Sequence, residues 1–135
     1  MAKLESNLRT FLCSKSGVTT IFGATAVCRI YVDRQDPKIT TAYPFAIIRT
    51  VTESPDYAHD GAMPDSSVVQ IDVYSNSKTT VNSGTTAIRA ELSGYRGAMS
   101  GITCGSSFII NTRGDYDPDA KLYRRSTDVE IGQNG

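Results

Sequence analysis

Leu4, Leu8, Phe11 and Leu12 recur at helical spacing between polar neighbours, which predicts an amphipathic helix over residues 3–13, closed by Ser16-Gly17. A polar stretch then runs through Gly23. Val27-Cys28-Arg29-Ile30-Tyr31-Val32 is a short β-branched and aromatic run that stops at Asp33 and Asp36-Pro37, so it reads as a first strand. Pro44 opens Phe45-Ala46-Ile47-Ile48-Arg49-Thr50-Val51, where apolar residues fall on both alternation sets. That predicts a strand covered on both faces, near the sheet centre. The clearest alternation is Val69, Ile71 and Val73 against Gln70, Asp72 and Tyr74, one face for a core and the other for water or a partner.

Ser75-Asn76-Ser77 supplies N-cap chemistry ahead of Val81, Thr85, Ile88 and Leu92, a helical stripe ending before Gly94. Gly84 and several β-branched residues weaken this helix intrinsically, so its stability must come from docking on the sheet. The chain returns through Ile102-Thr103-Cys104 and Phe108-Ile109-Ile110 to a turn expected at Arg113-Gly114-Asp115. It closes with Tyr123 to Ile131, in which Thr127, Val129 and Ile131 would face the core. The last two strands read as a hairpin, and residues 132–135 as a flexible polar tail. Strands joined by short links favour an α+β fold, with a single mostly antiparallel or mixed sheet of about five strands packed with two helices.

The chain has 135 residues, room for one domain spanning 1–135. Fourteen Lys plus Arg balance fourteen Asp plus Glu, so the excess cation that coats nucleic acid is missing. No run approaches the roughly 18 consecutive apolar residues of a membrane helix, and the N-terminal residues lack a signal-peptide core, so a soluble, unexported protein without membrane partners is expected. Cys13, Cys28 and Cys104 are odd in number and form no CxxC pair. They read as reduced, mostly buried thiols, with neither a disulfide framework nor a zinc knuckle.

Catalytic chemistry is sparse. His59 is the only histidine, which rules out a metal site built on two histidines, and no Gly-x-Ser-x-Gly elbow is present. Asp115, Asp117 and Asp119 alternate like the start of a calcium loop. Ala120 stands where that loop needs glycine, and Ser126 where it needs glutamate. No enzyme, cofactor or metal is expected.

Two segments read as contacts. The connection at residues 52–66 is long for a compact domain and holds Tyr57, His59, Asp60 and Met63 in a polar setting; it is expected to protrude and dock on a partner. Arg124-Arg125 with Lys121 is the one compact basic cluster. Asp115, Asp117, Asp119 and Asp128 surround it, so a charge-paired surface or subunit contact is expected rather than a nucleic-acid patch.

The ordered segments resemble the tail-completion, or tail-terminator, family of long-tailed bacteriophages. The resemblance rests on the leading helix, Arg29-Ile30-Tyr31, Tyr43-Pro44-Phe45-Ala46-Ile47-Ile48 and the Ser54-Pro55 loop ending near Gly61. It continues through Val69-Gln70-Ile71-Asp72-Val73-Tyr74-Ser75, Ile88-Arg89-Ala90-Glu91-Leu92-Ser93-Gly94 and Tyr123-Arg124-Arg125-Ser126-Thr127-Asp128-Val129-Glu130-Ile131. It spans nearly the whole chain and lies in order and spacing, since no motif holds a reactive group. It implies a subunit of the virion neck, assembled in the host bacterial cytoplasm into a ring, expected to be a hexamer. The ring would sit on the head-proximal end of the tail tube, stop tube growth and offer the surface that joins a head connector or stopper protein. Genome DNA would pass through its lumen without specific binding. The alternatives are another neck component, such as a head-tail adaptor or stopper, and, out of class, a small hydrolase using His59.

Overall fold

A computed structural model describes residues 3–23, 28–32, 43–54, 65–99, 102–118 and 121–134. In chain order the elements are α1 (Lys3–Leu12), α2 (Ser16–Phe22), β1 (Ile30–Val32), β2 (Phe45–Ser54), β3 (Asp65–Ser75), α3 (Lys78–Leu92), β4 (Gly97–Met99), β5 (Ile102–Asp117) and β6 (Leu122–Asn134). The strands form one mixed sheet in the order β1-β2-β3-β6-β5-β4, parallel between β1 and β2 and antiparallel elsewhere. The α+β class holds, with six strands and three helices among the described residues where about five and two were expected.

The alternation in β3 sets the layering. Val69, Ile71 and Val73 are buried with Ala46 and Ile48 of β2 and Val129 and Ile131 of β6, against Leu8, Phe11 and Leu12 of α1 and Ile88 and Leu92 of α3. Thr127 is buried as expected. Phe45 and Ile47, on the opposite side of β2, are buried too, so β2 is covered on both faces. It lies next to the edge strand β1, and the centre belongs to β3 and β6.

The Val81, Thr85, Ile88, Leu92 stripe of α3 is buried, and Ser77 caps the helix by accepting from the Thr80 amide at 3.4 Å. Gly84 does not interrupt it. A Cβ there would lie 2.9 Å from Phe22 Cζ and 3.2 Å from Val73 Cγ1, so the missing side chain is the slot in which the Phe22 ring sits between α3 and β3. Phe22 ends α2, a helix of β-branched and small residues in the stretch read as polar. Val18 and Phe22, four residues apart and buried, hold it down.

Two arginines join the layers through backbone carbonyls. Arg9 donates from Nε to Ile30 O at 2.5 Å and from Nη2 to Cys28 O at 3.0 Å. Arg29 donates to Pro44 O at 2.8 Å and Ile21 O at 3.2 Å. This brings the end of α1 beside the approach to β1, where Cys13 and Cys28 form a disulfide with Cα atoms 6.0 Å apart. The expectation of three reduced thiols is corrected here. The odd count leaves Cys104 as the free, buried thiol.

Three boundaries also move. The hairpin turn falls between Asp117 and Leu122, with Lys121 at φ 56°, and Arg113-Gly114-Asp115 lie inside β5. Residues 132–134, expected to be flexible, continue β6, where Gly132 pairs with Ser66 and Ser106. The connection read as 52–66 loses its ends to β2 and β3, leaving residues 55–64 between the strands and outside the described residues.

Candidate interaction surface

The β5–β6 hairpin supplies the most exposed structure. β6 pairs along β5 from Thr103 to Asp117, whereas β4 covers the other side of β5 only at Ile102, Thr103 and Cys104. Among the described residues, Phe108 to Tyr116 therefore have no strand along their outer edge. The run holds no Pro or Lys; a bulge at Ile110 and the charged Arg113 and Asp115 near its end are what blunt it. Phe108, Ile110 and Tyr116 are 58%, 54% and 46% exposed, large apolar groups on a strand with main-chain pairing capacity to spare.

The sheet face away from the helices carries charge in matched pairs. Arg49 Nη2 lies 3.3 Å from Asp72 Oδ2, and Gln70 donates to Asp72 Oδ1 at 2.8 Å. Asp72 is buried, 1% exposed, beneath a half-exposed Arg49. Arg113 spans strands to reach Asp128 at 2.9 Å and Gln70 at 3.3 Å. Arg124 holds Asp115 through two contacts, 3.1 Å from Nε and 2.6 Å from Nη2. Those bonds to Asp115, with a smaller contribution from Tyr74, push the Arg124 guanidinium above its already high pKa. At the β1 end the same face bears stacked rings, Phe45 on Tyr74 at 5.0 Å and Tyr43 on Phe45 at 6.0 Å.

The expected contact residues divide. Tyr57, His59, Asp60 and Met63 lie outside the described residues. Arg124 and Arg125 are neighbours in sequence but not one patch, because strand alternation sends them to opposite faces. Arg124 joins the ion-paired face, while Arg125 points to the helix side and donates to Asn82 Oδ1 of α3 at 3.1 Å. The exposed edge with Phe108 and Ile110 was missed. Its signal is an apolar Phe-Ile-Ile run that continues into polar strand residues. Among the described residues no group of three or more His, Cys, Asp or Glu could hold a metal ion, and no helix is long and apolar enough to cross a membrane.

Among the described residues, this small α+β chain leaves one long strand edge without a neighbouring strand and pairs the arginines of its second face with aspartates. The family model described as Tail completion protein gp17 matches residues 6–133, and the chain belongs to that family. It is a structural protein of the bacteriophage tail and virion. The fold is similar to a chain in the solved virion of a native gene transfer agent particle, at 13% identity and TM-score 0.67, covering 99% of this chain and 93% of that one. Among curated proteins no relative matches.

Proposed function

We propose that the protein acts as a tail terminator. Its copies associate head to tail into a closed ring, expected to be a hexamer, on the head-proximal end of the tail tube. There the ring ends tube polymerisation and presents the surface that meets the head connector or stopper. The role is structural, with no catalytic step, in the neck of a virion assembled in the host bacterial cytoplasm. The observation that carries this reading is the uncovered Phe108–Tyr116 edge on a chain of the tail-completion family. A strand edge that meets a different surface on the next copy makes a heterologous contact, and such contacts close into rings or run on as filaments. The similar chain in a gene transfer agent virion supports the same setting. Native mass spectrometry across concentrations, with and without tail tubes, tests it. A single closed oligomer larger than a dimer is expected in at least one condition, and two-fold dimers alone in both conditions contradict the reading.

A further inference from the structure

On the helix side of the sheet, the start of α3 and the outer part of the β5–β6 hairpin enclose a cleft of about 370 Å³. Lys78, Asn82, Tyr116, Tyr123 and Arg125 line it, with Arg124 and Asp115 at its rim. The rim pair neutralise each other. Lys78 and Arg125 have no carboxylate partner among the described residues. Arg125 is half-buried and pinned by the Asn82 side-chain carbonyl, a neutral acceptor that fixes the guanidinium without cancelling its charge. The Tyr116 and Tyr123 rings meet at 4.7 Å and give the cleft an apolar wall.

Lys78 and Arg125 bring two cations to one cleft, and the first turn of α3, with Lys78 and no acidic residue, adds the positive end of the helix dipole. An anionic group entering the cleft would gain charge-assisted hydrogen bonds from both cations. Arg and Tyr are also the residue types that anchor protein interfaces. A volume of about 370 Å³ accepts two or three side chains but not a nucleic-acid duplex, whose major groove alone is about 12 Å wide.

We propose that this cleft is a docking site for an acidic peptide segment of a partner protein. A carboxylate is held between Lys78 and Arg125, and the flanking residue packs on Tyr116 and Tyr123. The cleft shares Tyr116 with the end of the β5 edge, but its two cations belong to α3 and to the helix side of β6, and the inference stands whether or not the protein forms a ring.

The test is an NMR titration of the full chain with a blocked Gly-Asp-Glu-Asp-Gly peptide and with its Gly-Asn-Gln-Asn-Gly counterpart. Saturable shifts centred on Lys78–Asn82, Gly114–Tyr116 and Tyr123–Arg125 are expected with the acidic peptide. Binding should weaken about tenfold with the amide peptide and about tenfold in Arg125→Gln, with melting of that variant unchanged. A second variant, Lys78→Gln, lies on the exposed start of α3 and keeps the test open if Arg125→Gln does not fold. Equal binding of both peptides, shifts that never saturate or lie elsewhere, or displacement of the acidic peptide by a short DNA duplex would each overturn the proposal.

Discussion

Gly84→Ala sets two ordinary effects against each other at a site where the geometry decides. In an exposed helix the change stabilises by roughly 1 kcal/mol, because alanine loses less backbone entropy than glycine. In α3 the new Cβ would stand 2.9 Å from Phe22 Cζ, 3.4 Å from Phe22 Cε2 and 3.2 Å from Val73 Cγ1. Neither neighbour can step aside easily. Phe22 is 0% exposed at the end of α2, and Val73 is held in β3 between β2 and β6. Overpacking of this kind costs about 1–3 kcal/mol, and the ring contact lies at the severe end. We expect a net loss of about 1–2 kcal/mol, equivalent to a melting shift of roughly 3–8 °C for a domain of this size. Urea and thermal denaturation followed by circular dichroism read it directly. Phe22→Leu supplies the control, since removing the ring tip should make the cost of Gly84→Ala smaller by about 1 kcal/mol in a double-mutant cycle. A Gly84→Ala chain more stable than wild type, with effects additive in the Phe22→Leu background, would refute the packing account of this glycine.

Replacing both Cys13 and Cys28 by serine reopens a loop closed at a sequence separation of 15 and should cost about 3 kcal/mol, read as a lower urea midpoint that reductant reproduces in wild type. Burial, the dominant influence, raises the Cys104 pKa, so the folded chain keeps that proton where the unfolded chain loses it. The resulting stability is complete below the unfolded thiol's pKa of about 8.5 and is lost as pH rises through the folded value; the wild-type minus Cys104→Ala difference in urea midpoint should shrink over that window. Because Arg49, Arg113 and Arg124 are each paired with an aspartate and the formal net charge is zero, duplex DNA should bind negligibly at physiological salt in fluorescence anisotropy, whereas submicromolar, salt-sensitive binding would contradict that expectation.

What could be read from the sequence was what local periodicity determines. The Val69, Ile71, Val73 alternation and the Val81, Thr85, Ile88, Leu92 stripe each place a face on the core without help from distant residues, and both faces are buried. Helix α2 was hidden because Val18-Thr19-Thr20-Ile21 is poor helix-forming sequence, and what holds it is tertiary: buried Val18 and the Phe22 slot at Gly84, 62 positions along the chain. β4 has three residues and exists because β5 pairs with it. The Cys13–Cys28 bond follows from Arg9 and Arg29 drawing α1, α2 and the strand starts together, which no spacing rule encodes. Arg113-Gly114-Asp115 has turn composition, yet its two charged side chains bond across to β6, and the chain reverses only between Asp117 and Leu122. The opposite facing of Arg124 and Arg125 was legible, since alternation along a strand separates adjacent side chains.

The central claim is that this subunit caps the tail tube by closing into a ring through its exposed strand edge. Negative-stain imaging of tail tubes mixed with wild-type protein, and with an Ile110→Lys variant that charges that edge, tests it most directly. Ile110 is half-exposed at a bulge, so the variant should melt within about 0.5 kcal/mol of wild type. The account predicts a ring at one end of each tube with wild-type protein and bare tube ends with the folded variant. Tubes that stay bare with wild-type protein, or rings that form equally well with the variant, would contradict it.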